Sequence, residues 1–497
     1  ILICGVGYSA AGVSVQFLSQ CIKVKGNKTI ISSNMNYLKI FIFLSIQITF
    51  ALAANSDVIN SDTVNKNVER FIDLASQLAK ISTKITIENN GKTPISSYLF
   101  PLHSDENHYA YAIARDSSKK ELKITETSVS NHEGIKFLKI DFKEALQPSK
   151  TLNIQVDTVF SKVLVPYPAS ITQQEHQLVL YHGNHYFYSA YRTIKQQTTV
   201  QLASRNIENF SKLKPFSHSD STLTYGSYEN IPAFTYDKMT IHYENHSPFL
   251  TVTRLERSIE VSHWGNIAVE ETIDIVHSGA TLKGSFSRYD YQKDSRSGLP
   301  SVKSYKTILP ASAFGVYYRD TNGNISTSNM RIRKDAVELT LRPRYPLFGG
   351  WKTHYTLGYN VPSYEYLFSN GDKYILKMRA IDHIFDHMIV EEIVTKIILP
   401  EGCKDIKLVP PYSVIRQPDS LHYTYLDTKG RPVITFTKQN LVENHIQDFN
   451  LHYTFPRFMM LQEPMLIIIF LYILFLSVII YVRLDFSIYK NETHKTE

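Results

Sequence analysis

Cysteine is scarce in this sequence, with only Cys4, Cys21 and Cys403 among 497 residues. A disulfide framework or a four-thiolate zinc site needs cysteines paired at short spacings, so these three exclude both.

Acidic residues are absent before position 54, and four of the 53 basic residues lie in that stretch. Because the rest of the chain is nearly balanced in charge, it has no basic stripe of the kind that binds nucleic acid.

The sequence also lacks the common catalytic motifs. Neither a Gly-x-Ser-x-Gly elbow nor a glycine-rich phosphate loop with a lysine occurs between the two hydrophobic segments described below. His383 and His387 would share one face of a helix, as zinc ligands do, but Ile384 follows His383 where a zinc protease has its glutamate. Both are therefore interpreted as ordinary surface or core histidines rather than as metal ligands. We expect no catalytic residue, no metal and no cofactor.

The first hydrophobic segment has the pattern of a signal peptide. Residues 35–53 begin with a methionine and a lysine-containing stretch, continue with a short apolar run, and end in a small-x-small cleavage signal at Ala51 and Ala53. A membrane anchor is the alternative, but an apolar run of about 11 residues is too short to cross a bilayer. Residues 1–34 contain no methionine, so we expect them to be an upstream or gene-model extension.

The second hydrophobic segment predicts a transmembrane helix. Residues 465–482 form an unbroken apolar run, with Pro464 before it and Arg483 after it. A cleaved signal peptide places the preceding part outside the cytosol, and the basic residues of the tail, residues 483–497, agree with the positive-inside rule. The sequence thus predicts a single-pass, type I protein with a short cytosolic tail.

Between these segments the patterning is mainly that of β-strands. Apolar and polar residues alternate at 81–88, 122–125, 152–157 and 259–261, as in antiparallel sheets with one buried face. Turn signals such as Asn370-Gly371 punctuate these runs, and 32 Tyr with 26 Phe suit half-buried strands. Helical spacing competes with this pattern at 64–79 and 386–396, so both assignments stay open there.

Two blocks of the sequence match in layout. The stretch from Arg70 to Gly91 resembles the stretch from Arg257 to Gly279, with one residue of slippage. This correspondence favours a duplicated β-domain, although any two amphipathic hairpins share some features. The predicted β-domains cover residues 54–250 and 251–460.

Three sequons in this part are candidate glycan acceptors. Asn324, Asn245 and Asn209 each begin an Asn-x-Ser sequence, and Asn324 follows an Asn-Gly turn signal that predicts exposure. A cluster of histidines and aromatic residues at 182–191 is compatible with stacking on a sugar or peptide. A packed aromatic cluster is the commoner explanation for such a run.

Several strings rich in Trp, Tyr and His closely resemble the ribophorin I family. The likeness runs from about residue 64 to residue 487, and the strings that carry it best are residues 259–270, 286–291, 345–355, 421–427 and 481–487.

The resemblance implies a non-catalytic subunit of the oligosaccharyltransferase complex in the endoplasmic reticulum membrane. In this family a different, polytopic subunit transfers the glycan from a dolichol-linked donor to Asn-x-Ser/Thr. Expected partners are the other subunits, with nascent polypeptides and the translocon as further candidates. Animal members continue beyond residue 487 into a helical cytosolic region, so the short tail here is expected to be either genuine or the product of a truncated gene model. The alternatives are a single-pass adhesion or receptor ectodomain and a lumenal metallohydrolase using His383 and His387.

Overall fold

The structure, a computed structural model, describes residues 57–102, 108–129, 132, 134–294 and 297–484. The predicted extension at 1–34, the signal peptide with Ala51 and Ala53, and all but the first two residues of the predicted tail lie outside these ranges. The chain divides into a small unit, Ile1–Val58 with Ser128–Glu133, and a large unit containing the rest. In the small unit Asp57 and Val129 form a parallel bridge.

The large unit contains two β-parts, the first from Thr63 to Glu244 and the second from Leu250 to Thr454. Strands dominate the first β-part, as the alternating pattern predicts. In chain order they are β1 (Thr63–Leu74), β2 (Ala79–Asn89), β3 (Ile95–Leu102), β4 (Tyr109–Asp116), β5 (Glu121–Thr127), β6 (Lys136–Leu146), β7 (Thr151–Phe160), β8 (Leu164–Pro166), β9 (Ser170–Ile171), β10 (Leu178–Asn184), β11 (Thr193–Leu202), β12 (Ile207–Phe210), β13 (Phe216–Ser219), β14 (Thr222–Ile231) and β15 (Lys238–Glu244).

The second part continues with strands and few helices. The strands are β16 (Leu250–Val261), β17 (Asn266–His277), β18 (Thr281–Leu282), β19 (Tyr305–Pro310), β20 (Phe314–Asp320), β21 (Gly323–Asn324), β22 (Asn329–Ile332), β23 (Ala336–Leu341), β24 (Lys352–Pro362), β25 (Leu367–Asn370), β26 (Lys373–Arg379), β27 (Ile389–Ile398), β28 (Lys404–Val409), β29 (Ile415–Arg416), β30 (Ser420–His422), β31 (Arg431–Val442) and β32 (Asp448–Thr454). The helices are α1 (Arg288–Lys293), α2 (Ser363–Tyr366) and α3 (Gln462–Arg483), with 3-10 turns at Glu443–His445 and Arg457–Leu461.

Each part is built on one large sheet, and the two sheets share a strand order. The first contains the run β14-β11-β1-β2-β7-β4, and the second contains β31-β27-β16-β17-β24-β20. In both runs the central strand pairs in parallel with its neighbour on one side, β1 with β11 and β16 with β27. The other pairs in each run are antiparallel, so the mainly antiparallel β prediction is confirmed and one parallel pair per sheet is added to it.

The register of the two central hairpins supports the predicted duplication. Arg70 of β1 lies opposite Thr83, and Arg257 of β16 lies opposite Glu271, which reproduces the one-residue slippage seen in the sequence. Both hairpins carry an irregularity at the same place, between Asn65 and Asn67 in β1 and between Val252 and Arg254 in β16. A β-bulge at a matching position is a specific feature that two unrelated hairpins have no reason to share.

The helical alternatives at 64–79 and 386–396 are wrong. Residues 63–74 are strand β1 and residues 389–398 are strand β27. In β1 buried and more exposed residues alternate over most of its length, which is the pattern of a strand with one face of its sheet buried. Apolar residues at spacings of three and four fit a helix face, but those in β1 do not share one face: Val68 and Ile72 are buried, whereas Phe71 is 44% exposed.

The core of the second part lies between its sheets. Buried residues of β16 and β17, such as Ile259 and Ile273, belong to one cluster with Leu339 of the β19-β23-β22 sheet and Leu451 of the β25-β26-β32-β28 sheet. This layered packing explains why alternate residues of each strand are apolar.

The two parts also contact each other directly. Leu78 and Val159 of the first form a small buried cluster with Ile389 and Val442 of the second. The Gln77 side-chain amide donates to the backbone carbonyls of Leu250 (2.8 Å) and His387 (2.7 Å). Strand β16 begins at Leu250, beside the proposed boundary; the division into domains at 250 stays a prediction.

Candidate functional site

The junction between the second β-part and helix α3 is held by an ionic cluster around Arg431. Its guanidinium donates to Glu463 in the first turn of α3 (2.9 Å), to Glu260 at the end of β16 (2.9 Å) and to Asp427 (3.2 Å). Burial opposes the charge on Arg431, but the Asp427, Glu260 and Glu463 carboxylates raise its pKa. The Arg431 side chain therefore connects the first turn of α3 to β31, which contains Arg431, and to β16, which contains Glu260.

Glu401 makes the second polar link at this junction. One of its oxygens accepts a hydrogen bond from the Gln462 side chain at 2.7 Å, and its carboxylate also accepts from Thr428 and from the Lys429 amide. Burial of Glu401 favours the neutral acid, but these hydrogen bonds outweigh it and lower the pKa of Glu401. The first residue of α3 is thus held by an ionised carboxylate.

Aromatic and sulfur-containing side chains complete the junction. His263 contacts the rings of Tyr374 and Phe455 at centroid distances of 4.5 and 4.4 Å, and burial lowers its pKa to about 4. Met459 lies against Gly402, whose positive φ of 89° is a backbone conformation that favours glycine. A cavity of about 90 Å³ remains between the loop at His263 and Trp264 and the start of the helix.

Helix α3 itself is apolar and exposed on all sides. It runs from Gln462 to Arg483, somewhat longer than the predicted segment, and Pro464 lies in its first turn, where its missing amide is not needed. The segment Arg457–Arg483 is long and apolar enough to cross a membrane. At about 1.5 Å per residue the 22 helical residues extend about 33 Å, close to the thickness of a bilayer core.

Exposed aromatic side chains surround the start of this helix. Trp264, Phe458 and Tyr364 are 65%, 72% and 76% exposed. The backbone amide of Ser363 donates to the carbonyl of Gly265, so the loop of Trp264 is adjacent to the short helix α2 that carries Tyr364. Tyr and Trp are enriched where a protein crosses from water into the head-group region. This end of the second β-part has the composition of a membrane-proximal surface.

The histidine pair singled out in the sequence does not form one site. Neither histidine lies on a helix: His383 forms an antiparallel bridge with Ile308, and His387 lies in the turn before β27. His383 Nε2 is 3.2 Å from Asp386 and 3.8 Å from Glu443, whereas His387 Nδ1 lies 2.9 Å from the ammonium of Lys80. Glu443, which no sequence pattern indicated, is the residue that both histidines approach. A lysine at this distance opposes cation binding by His387.

The aromatic run at 182–191 is largely packed inside the first β-part. His185 is buried and its ring meets Tyr225 edge-on at 5.1 Å, while the Tyr191 ring lies 4.9 Å from that of Tyr98. Burial lowers the pKa of His185, and its Nδ1 lies 2.8 Å from a carboxylate oxygen of Asp237. The structure therefore confirms a packed aromatic cluster, the commoner of the two interpretations.

The three sequon asparagines have different environments. Asn324 and Asn209 are exposed, on β21 and β12. Asn245 is fully buried; its amide nitrogen donates to the Ser76 carbonyl at 3.3 Å and its Oδ1 accepts from the Ser247 amide at 2.9 Å. A glycan on Asn245 would require that side chain to leave its place, so glycan attachment stays a prediction for all three.

The fold and the junction define a class: a β-rich protein whose two related sheets are fixed to one membrane-spanning candidate helix. Comparison with known families is more specific, since the family model described as Ribophorin I matches residues 63–482, which include both large sheets and nearly all of α3. The chain belongs to the ribophorin I family, and the resemblance stated from the sequence is confirmed.

Individual relatives agree with this assignment. Subunit 1 of dolichyl-diphosphooligosaccharide–protein glycosyltransferase from Caenorhabditis elegans is 42% identical over 456 residues, 91% of this chain and 78% of the worm protein. Subunit 1B from Arabidopsis thaliana is 37% identical over 441 residues, 86% of this chain and 94% of the plant protein. These relatives give no support to the receptor or metallohydrolase alternatives.

The chain also has weak similarity to a solved structure. An M1 zinc metallopeptidase from Deinococcus radiodurans has a TM-score of 0.23 and 12% identity, covering 40% of this chain and 43% of that one. This level of likeness carries no argument about fold or activity.

Proposed function

We propose that this protein is a non-catalytic accessory subunit of the oligosaccharyltransferase of the endoplasmic reticulum. Its relatives are named as subunit 1 of that glycosyltransferase, and the family match extends over both β-parts and the apolar helix. The whole architecture, rather than one module, is therefore shared with them. In this proposal another subunit transfers the glycan to Asn-x-Ser/Thr, and this chain supports the transfer.

The junction at Arg431 supports a role for α3 in holding the β-parts in position. Ion pairs and hydrogen bonds from Arg431 and Glu401 fix the first turn of α3 to the β-sheets. A helix embedded among partner helices would then hold the β-parts at a set height and angle above the membrane. We infer a type I orientation, with the β-parts lumenal, the catalytic and other subunits as partners, and nascent chains or the translocon as further contacts.

The direct test is purification of the tagged protein from its own cells in a mild detergent. We expect stoichiometric recovery of a polytopic glycosyltransferase subunit, and transfer of glycan to an Asn-x-Thr peptide by the eluate. Depletion of the polytopic subunit should remove the activity while this chain remains. Recovery of this chain alone, at the plasma membrane and with processed glycans, would favour the receptor alternative.

The role of the junction is tested in the same purification with Arg431→Gln. Because the amide cannot replace the three ion pairs, we expect the helix to turn more freely against the sheet and less of the polytopic subunit to be recovered. Arg416→Gln is the matched control, since the ion pair that Arg416 forms among the described residues is with the exposed Asp419 three residues away. Equal recovery with both variants would contradict the rigid junction and leave membership of the complex intact.

A further inference from the structure

Two histidines and a glutamate converge at one end of the β10–β15 pair in the first β-part. His176 Nδ1 lies 2.8 Å from Glu244 Oε1, His246 Nε2 lies 2.6 Å from the same oxygen, and the two ring nitrogens are 3.2 Å apart. The rings lie at a centroid distance of 5.1 Å and at 54° to each other. Three potential metal-ligand atoms from three side chains therefore surround a single point.

We propose that His176, Glu244 and His246 form a binding site for one divalent transition-metal ion, with Zn²⁺ as the preferred ion. Two imidazoles and one carboxylate are a donor set that zinc uses with an open fourth position. Zinc bonds of about 2.0–2.1 Å in a tetrahedral arrangement place the ligand atoms roughly 3.3 Å apart. The two ring nitrogens are already at nearly this spacing, at 3.2 Å, whereas the distances of 2.8 and 2.6 Å to Glu244 Oε1 must lengthen by roughly half an ångström or slightly more to admit the ion.

The strand register explains why these side chains meet. Leu178, the first residue of β10, lies opposite Glu244, the last residue of β15, so the segment before β10 runs beside the segment after β15. Glu244 and His246 are two residues apart in extended chain and therefore point to the same side. His176 reaches them from the neighbouring segment.

The residues between the ligands hold the backbone in place. The backbone amide of Asn245 donates to the backbone carbonyl of Gln177 at 3.0 Å. The Gln177 side-chain amide donates to the backbone carbonyl of Asn245 at 2.9 Å. Both residues are fully buried. Their burial on one side directs the ligand side chains to the other, so two of the three ligands are positioned by contacts that the ion does not have to provide.

Glu244 is also oriented by a residue outside the ligand set. The Asn206 side-chain amide donates to Glu244 Oε2, which leaves Oε1 facing the histidines. Support of a ligating carboxylate by a second hydrogen bond is a usual feature of metal sites. The exposed fraction rises from 11% for the Glu244 side chain to 25% for His246 and 51% for His176, so an ion has a path from solvent.

The other candidate cluster is less suited to a cation. His383, Asp386 and Glu443 include one histidine, with spacings of 3.2 and 3.8 Å from its Nε2. Glu443 is also engaged by the backbone amide of His387, and the Lys80 ammonium lies beside the His387 ring. The site at His176 is tighter, and in the part of the chain that the structure describes its three side chains contact one another and the uncharged Asn206.

A bound ion would link His176 to Glu244, which is 68 positions away in the chain, and to His246, which is 70 positions away. It would close the open end of the β10–β15 pair next to the buried Asn245. Because the ion binds the folded site, the free energy of unfolding should rise with Zn²⁺ concentration.

The test uses the full chain in detergent, stripped with a chelator, dialysed and titrated with Zn²⁺ against a chromophoric competitor. We expect one Zn²⁺ per chain and a higher thermal unfolding midpoint in its presence. His176→Ala removes a direct ligand at a half-exposed position, so it should abolish the thermal shift and weaken binding by at least on the order of 100-fold, since loss of a residue that only orients a ligand already costs roughly 10–100-fold.

Two matched histidine variants complete the test. His218→Ala alters an exposed histidine of the same β-part and should bind Zn²⁺ as the wild type does. His383→Ala should also leave binding unchanged. Absence of stoichiometric binding in the wild type, equal binding by His176→Ala, or loss of binding in His383→Ala alone would each overturn the proposal.

Discussion

Arg257 donates a hydrogen bond from Nη1 to Oδ2 of Asp382 at 2.8 Å, and both residues are buried in the core of the second β-part. The same guanidinium pairs with Glu271 on the adjacent strand, and the Tyr359 hydroxyl donates to Asp382. Arg257 and Glu271 belong to the sequence block 257–279, which matches the block 70–91 in the first β-part. The matching arginine, Arg70, instead donates to the backbone carbonyls of Asn184 and Tyr186.

Loss of the Arg257 side-chain charge should destabilise the protein strongly. Arg257→Met leaves two carboxylates in the core without their cation, and removal of one partner from a buried pair costs about 3–5 kcal/mol. Denaturant unfolding of the full chain in detergent measures this cost. Arg319→Met is the control, because Arg319 forms an exposed pair with Glu270 and should cost no more than about 1 kcal/mol. Similar losses for both variants would contradict a special role for the buried cluster.

Glu271 should make stability depend on pH. Burial raises its pKa to about 7; the charge of Arg257 opposes this rise and the Asp382 carboxylate adds to it. The folded chain therefore keeps a proton that the unfolded chain releases near pH 4.5, and this contribution is present at low pH and lost as the pH rises through 7. Glu271→Gln stays neutral, so its stability relative to the wild type should increase from pH 5 to pH 8. A constant difference would contradict the raised pKa.

Trp264 should lie at the level of the lipid head groups. It borders the cavity at the start of α3, while Gln462 and Glu463 precede the apolar part of that helix. In nanodiscs with brominated lipids, we expect strong quenching of Trp264 fluorescence in a Trp351→Phe variant. Since the chain has only two tryptophans, Trp264→Phe isolates Trp351, which packs against Phe348 and Tyr345 and should be quenched less. Equal quenching would place the aromatic loop away from the membrane.

Glycan occupancy should follow exposure of the sequons. Asn324 and Asn209 present their side chains to solvent, whereas Asn245 uses its amide nitrogen within the fold. We expect Ser326→Ala and Ser211→Ala each to increase electrophoretic mobility by one glycan. Ser247→Ala, which retains the backbone amide that bonds Asn245, should leave mobility unchanged. A shift with Ser247→Ala and none with Ser326→Ala would contradict this order.

Much of the architecture was predictable from local patterns. The alternation at 81–88 and 152–157, the matching Arg70 and Arg257, and the apolar run of α3 are properties of short segments, and they appear in the structure as β2, β7, the two central hairpins and the apolar helix. The parallel pairing of β1 with β11 was not predictable, because the sequence does not show which distant strand lies beside a given edge. The same limit applies to the Arg431 cluster, whose partners come from three separate segments.

The sequence by itself determined the β class, the apolar helix and the family, because these depend on the spacing and identity of neighbouring residues. Only the tertiary structure decided which polar side chains meet. Arg257 and Asp382 are 125 positions apart, and His176 and Glu244 are 68 apart. Their contacts follow from strand order and register, which arise when the sheets bury their apolar faces together, and a shift of one residue would turn each side chain to the opposite face.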